Sequence, residues 1–234
     1  MGVQRFARRP KPLLMKRWFK YERIPGLLAS SYEKASRMVI DGYYSKVADE
    51  IVSHIRQGSM LDLGTGPGYL PVEIVKRAPD ISITGVDLSR KLIHMARINA
   101  QKAGYASQLH FEVGNSARLR FDDADFDMVI STGMLHSLKN PVNVLLEINR
   151  VLKDGADAWI YDPANVIQYI DRKKWKASLN LRERFFLWVF GLLGLHKPIA
   201  IYRKSDVIPI IEAAGFNKYK VDESKKEIRI KLTK

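Results

Sequence analysis

The sequence predicts an α/β fold, a mostly parallel sheet wound on both faces by helices, and three observations predict it. Short apolar runs at residues 60–63, 81–86, 109–113, 126–131 and 158–161 alternate with segments whose apolar residues recur at helical spacing. Gly64, Gly66 and Gly68 lie between the first run and a helical pattern starting at Tyr69, so a buried strand runs straight into a glycine turn. The second run ends at Asp87, about twenty residues past the glycines, where an acidic side chain accepts hydrogen bonds from ribose hydroxyls.

The chain of 234 residues has no segment of linker composition, so one domain, residues 1–234, is expected. It has no cysteine, which excludes disulfides, thiolate metal sites and a cysteine nucleophile and suits a reducing cytoplasm; no metal ligand set is expected. Arg5, Arg8, Arg9 and Lys11 precede no apolar stretch of the secretory kind. The net charge of +14 is uneven. Residues 1–23 carry about +7 and residues 172–204 about +8, which points to an acidic partner: lipid headgroups, nucleic acid or an anionic substrate.

In chain order, residues 1–54 read as a basic helical cap. Leu13, Leu14, Arg17, Trp18 and Tyr21 share one side of a short amphipathic helix compatible with a membrane surface. Pro25-Gly26 then makes a turn, and one or two helices that include Tyr43 and Tyr44 lead to the first strand. Residues 55–161 hold the strand and helix alternation. Within them, residues 89–102 form a helix capped by Ser89 and ended by Gly104, with Leu92, Ile93, Ala96 and Ala100 inward. The third strand leads into Gly114-Asn115-Ser116. The fourth ends at Ser131 and releases Thr132-Gly133-Met134-Leu135-His136 at the carboxyl edge, where open α/β sheets bind ligands. A helix over residues 141–152 precedes the fifth strand, after which comes Asp162-Pro163-Ala164-Asn165.

Residues 162–204 are expected to be a helical lid insertion. Trp175, Phe185, Phe186, Trp188 and Phe190 fall in it, and the apolar run 185–195 is bounded by Arg182, Arg184 and Lys197. That run is too short to span a bilayer, but it suits a membrane interface, an oily substrate or core packing. Residues 205–234 read as a helix capped by Ser205 or Asp206 and closed by Gly215, then a hairpin of strands 216–221 and 228–232.

The glycine spacing, Gly-x-Gly-x-Gly, differs from the dinucleotide fingerprint Gly-x-Gly-x-x-Gly and argues against a nicotinamide cofactor. Leu-Asp-Leu-Gly-Thr-Gly-Pro-Gly-Tyr at 61–69, followed by Gly-Val-Asp-Leu-Ser at 85–89, resembles a class I S-adenosylmethionine-dependent methyltransferase. Phe-Asp-Met-Val-Ile-Ser at 126–131 and Val-Leu-Lys-Asp-Gly at 151–155 resemble that family's fourth strand and the turn before its fifth. The resemblance covers residues 47–161. It extends in a general way to the small-molecule type-11 group, which includes quinone-biosynthesis methyltransferases.

The resemblance implies a doubly wound Rossmann-like methyltransferase sheet, mostly parallel with an antiparallel C-terminal strand, and S-adenosylmethionine as cofactor. The residues implied to bind it are Asp62, Gly64, Thr65, Gly66, Gly68, Asp87, Leu88, Asn115, Ser116 and Ser131, with Tyr43 or Tyr44 of the lead-in helix reaching the sulfonium and Tyr43 the one selected. Gly114-Asn115-Ser116 stands where relatives show Gly-Asp-Ala, so an Asn oxygen replaces the acid that accepts from the adenine amino group. His136 is the candidate general base, its ordinary pKa suiting proton removal near neutrality; lining the pocket is its other role. Asp162-Pro163-Ala164-Asn165 resembles the signature of base-modifying amino-group methyltransferases, but follows the fifth strand and lacks the aromatic. The expected reaction is methyl transfer to a small hydrophobic or anionic acceptor, with peripheral membrane contact through 185–195 and the basic N-terminus. An RNA or other nucleic-acid methyltransferase and a non-catalytic cofactor-binding protein are the alternatives.

Overall fold

The structure is a computed structural model and describes residues 24–163, 172–192 and 202–234. The amphipathic helix expected over residues 13–21, the Ala164-Asn165 pair and the end of the 185–195 run lie outside the described residues.

Seven strands form one sheet in the order β3-β2-β1-β4-β5-β7-β6. They are β1 (Gln57–Leu63), β2 (Asp80–Asp87), β3 (Leu109–Val113), β4 (Phe126–Thr132), β5 (Leu152–Pro163), β6 (Lys218–Glu223) and β7 (Glu227–Thr233). The first five run parallel, and β7 pairs antiparallel with both β5 and β6. Strand order reverses at β1, which has β2 on one side and β4 on the other; ligands of open α/β sheets bind at the carboxyl ends beside such a reversal.

Alternating side chains give the sheet two apolar faces. Met60, Ile83, Met128 and Ile130 meet α2 (Ser45–His54), α3 (Tyr69–Val75) and α4 (Arg90–Ala103) through Ile51, Ile74, Ile93 and Ala96. Leu61, Leu63, Val129 and Ile160 face α5 (Pro141–Val151) and α8 (Lys204–Ala213) through Val144, Ile148, Val207 and Ile211. The expected fold class therefore holds, including the antiparallel final strand.

Local chemistry sets the helix ends. Ser89 Oγ accepts from Leu92 N–H at the start of α4, and Gly104 at φ +83° closes it. Asn140 caps α5 by accepting from Asn143 N–H, with Pro141 at the first turn. In α8 the cap is Arg203 rather than Ser205, because Asp206 Oδ2 reaches back to accept from Arg203 N–H at 2.9 Å. The fifth strand starts at Leu152, earlier than expected, and its pairing with β4 shifts register between Phe126 and Met128.

The lead-in is α1 (Ala29–Met38), a π-helical turn at Ile40–Tyr44, and α2. Val39 C=O accepts from both Tyr43 and Tyr44 N–H, at 2.9 and 3.2 Å. Such π turns recur at functional sites because they re-aim side chains that a 3.6-residue period would stack. The insertion forms α6 (Arg172–Ser178) and α7 (Leu181–Leu192), docked on α1. Trp175 Nε1–H donates to Ser31 C=O at 3.2 Å, and Lys34 Nζ donates to Ser178 C=O at 2.8 Å and pairs with Glu183 at 2.7 Å. Burial works to raise the Glu183 pKa, but hydrogen bonds from Lys34 and Asn180 N–H outweigh it and hold the carboxyl below the usual range.

Candidate active site at the carboxyl edge of the sheet

The floor is the turn from β1 into α3. Gly64 and Thr65 N–H both donate to Val86 C=O, at 2.8 and 3.1 Å, which ties the turn to the end of β2. Asp87 braces it from the side. Its Oδ2 accepts from Gly66 N–H at 3.1 Å and its Oδ1 from Ser89 N–H at 2.7 Å, so one carboxylate joins the glycine turn to the start of α4. Burial raises the Asp87 pKa, and these two backbone donors oppose it. Leu88 is half-buried directly after it. Gly68 sits at φ +76° with Ala96 and Phe111 each 3.0 Å from where a Cβ would stand, so both its conformation and its surroundings require glycine.

Beneath the turn lies Asp62, 2% exposed, opposite Gly85 of β2 and Ile130 of β4. A Cβ on Gly85 would stand 2.7 Å from Thr65 Oγ1 and 2.6 Å from Phe111; its absence makes room for the threonine. Asp62 Oδ1 and Thr65 Oγ1 are both buried without a hydrogen-bond partner. Burial drives Asp62 up to about 7, the nearby Thr65 hydroxyl opposes this, and the Asp87 charge adds to it. Buried polar atoms are rarely left unpaired, so this pair suits a ligand that brings a donor.

Two tyrosines that sequence reasoning did not choose stand over this floor. Tyr32 of α1, 36% exposed as a whole, has a ring carbon 3.5 Å from where a Gly66 Cβ would stand, and desolvation of its hydroxyl and then the Asp87 charge push that group up to about 12. Tyr44 is raised by burial and then by Tyr32, with Asp62 and Tyr69 also acting on it. Tyr43, expected at the sulfonium, has a different set of contacts. The π turn sends that ring into the core beside β5 and β7, where its hydroxyl donates to Glu227 Oε1 at 2.8 Å. No sequence signal separated Tyr43 from Tyr44, since the irregular turn between them has no periodic signature.

The other expected contacts divide. Ser131 is 1% exposed, and its hydroxyl donates to Leu63 C=O at 2.9 Å, a cross-link between β4 and β1 under the loop. Asn115 Oδ1 accepts from Ala117 N–H at 2.9 Å, so one of its lone pairs serves the turn it begins. Ser116 is buried beside it. Val86, Gly114, Asn115, Arg118 and Leu119 border a hollow at the end of β3.

His136 lies in a short 3-10 turn after β4, and its Nδ1 is 2.8 Å from Asp162 Oδ1. The side chains are 15% and 2% exposed. Gly133 N–H donates to Tyr161 C=O at 2.8 Å, which holds the His136 loop to the strand that carries Asp162. The aspartate belongs to the four-residue motif that the sequence set aside. Its available signal was its position at the carboxyl end of the strand next to β4.

Comparison with known proteins agrees with this geometry. Residues 56–215, more than half of the chain, match a family model described as a methyltransferase domain. Over 134 residues the chain is 27% identical to a ubiquinone/menaquinone biosynthesis C-methyltransferase from Geobacter sp. strain M21; the match covers 56% of this chain and 57% of that relative's length. A protein of the same description from Geotalea daltonii is 26% identical over 171 residues, 71% of this chain and 70% of the relative. A crystal structure from Methanococcus maripaludis, provisionally assigned as an S-adenosyl-L-methionine-dependent methyltransferase, superposes with a TM-score of 0.71 at 20% identity, covering 94% of this chain and 97% of that one.

Proposed function

The chain belongs to the methyltransferase-domain family, and from that premise we propose that it transfers a methyl group from S-adenosylmethionine to a small hydrophobic acceptor. The observation that carries this reading is the pair of buried, unpartnered oxygens, Asp62 Oδ1 and Thr65 Oγ1, under a turn whose three glycines all have positive φ. They fit a ligand with a cationic or hydroxyl donor at one end. When bound, S-adenosylmethionine supplies a methyl group on a positively charged sulfur, which is a good leaving group.

Around it, Gly64, Gly66 and Gly68 offer bare backbone, and Asp87 keeps acceptor capacity beyond its two backbone donors for ribose hydroxyls. Asn115 borders the hollow after β3 that would take the adenine end, and Ser116 is buried beside it. Tyr32 and Tyr44 supply aromatic faces, which attract a cation such as sulfonium. Leu88 and Ser131 frame the site, Ser131 by fixing β4 to β1.

The role we assign to His136 is proton removal, supported by its contact with the buried Asp162. If Nδ1–H donates to Asp162, Nε2 of the neutral ring is left to accept the proton that the acceptor loses. The buried aspartate fixes that tautomer. The rest of catalysis is alignment of the acceptor atom with the methyl carbon, so no further covalent machinery is required. A hydrophobic acceptor draws support from the apolar residues of α6 and α7, which we propose as a cover, and from relatives named for quinone biosynthesis.

The test is methyl transfer from radiolabelled S-adenosylmethionine to a panel of hydroxylated aromatic acceptors with long and short apolar tails. The reading predicts turnover that favours the apolar members. Labelling of RNA alone, or of nothing, would overturn it.

A further inference from the structure

Among the described residues, the three large hydrophobic side chains most exposed to solvent all lie on α7: Leu181 at 84%, Trp188 at 61% and Phe185 at 56%. Their spacing, i, i+4 and i+7, places them in one stripe along the helix. The opposite side holds Glu183, 5% exposed and paired with Lys34 of α1, and the half-buried Phe186 and Leu187. Thus α7 already has an inward face, and the stripe is a second apolar face that no described residue covers. Scattered exposed hydrophobics are ordinary, whereas three aligned on one helix mark a contact surface.

Charge indicates the occupant. At about 100° per residue, Arg182 and Arg184 flank the stripe on either side, and both are exposed. Lys173, Lys174 and Lys176 of the adjoining α6 are exposed as well. The only acid in α6 and α7 is Glu183, which is turned inward. An apolar, aromatic stripe between cations complements a surface with oily depth and negative headgroups. A rigid protein partner would need a hydrophobic slot of matching shape, and a nucleic acid would leave Leu181 unmatched. At 12 residues, α7 is too short to cross a bilayer, so it would lie in the interface plane.

We propose that the outward face of α7 docks on the surface of an anionic lipid bilayer, with Leu181, Phe185 and Trp188 entering the headgroup region and Arg182 and Arg184 at its border. Since α7 is latched to α1, whose Tyr32 stands over the glycine turn, docking would hold the site close to the membrane.

The experiment is cosedimentation of the full chain with vesicles of phosphatidylglycerol and phosphatidylcholine, and separately of phosphatidylcholine alone, at two salt concentrations. Binding to the anionic vesicles should weaken with salt, and the double variant Phe185→Glu, Trp188→Glu should lower it by about tenfold or more while the melting temperature stays unchanged. Lipids brominated in the acyl chains should quench the fluorescence lost in Trp188→Phe, a readout that requires no destabilising change. Equal binding by the double variant, or no quenching of Trp188, would overturn the proposal. So would dimerisation abolished by the same variant, which would assign the stripe to a second copy, or RNA binding abolished by it. A Trp188 already shielded from acrylamide without vesicles would mean that the chain covers its own stripe.

Discussion

The glycine floor and the proposed α6–α7 cover are held by different forces. The floor stands on two buried apolar layers, and its turn is pinned by backbone donors to Val86 C=O and to Asp87. The cover is joined to α1 through polar contacts, Lys34 with Glu183 and Ser178 and Trp175 with Ser31, and it shows apolar side chains to solvent. A floor must hold one geometry, whereas a cover must let molecules past; elements that open locally are drawn from those with few buried apolar contacts.

That contrast can be broken in four places. The largest effect is expected at the proposed proton-transfer pair: His136→Ala should lower turnover by about two to four orders of magnitude while leaving cofactor affinity nearly intact. Steady-state rates beside calorimetry would check it, and an active variant would make His136 a pocket wall. Next is the floor itself. Gly85→Ala forces a Cβ within 2.6 Å of Phe111 and should destabilise the fold by about 1–3 kcal/mol, read from denaturant unfolding. An unchanged midpoint would mean that Phe111 and Thr65 yield freely.

The third effect depends on pH. Asp62 rises in the folded protein from 3.8 to about 7, chiefly through burial, so its neutral form favours folding. Its contribution is fully present below pH 4 and is lost as pH rises through about 7. A cationic ligand donor reverses this preference. S-adenosylmethionine affinity should therefore increase between pH 6 and 8 in the native protein and be flat in Asp62→Asn, as measured by calorimetry; matching profiles would remove Asp62 from the ligand. The smallest effect is on the cover, where Trp188→Glu should change stability by no more than about 0.5 kcal/mol. A collapse in melting temperature would place Trp188 in a core.

The floor was legible in the sequence because its determinants are local. Apolar runs, the glycine spacing, Asp87 and the Ser89 cap lie within some thirty residues of one another and report backbone geometry directly. The roof was not. Choosing Tyr32 and Tyr44 over Tyr43 depends on a π turn that leaves no periodic trace, and joining His136 to Asp162 depends on β4 and β5 being neighbours. In α7 an almost unbroken apolar run concealed two faces. Glu183, just before that run and between two arginines, was the clue, since a lone acid there marks the side that meets a partner cation.

Calorimetric titration of the full chain with S-adenosylmethionine, repeated with Asp87→Ala and with a nicotinamide dinucleotide, tests the central claim most directly. The account predicts one site that prefers S-adenosylmethionine and loses about 1–3 kcal/mol of binding in the variant, the usual cost of removing hydrogen bonds to a charged group. No heat with S-adenosylmethionine, tighter binding of the dinucleotide, or indifference to Asp87 would contradict it.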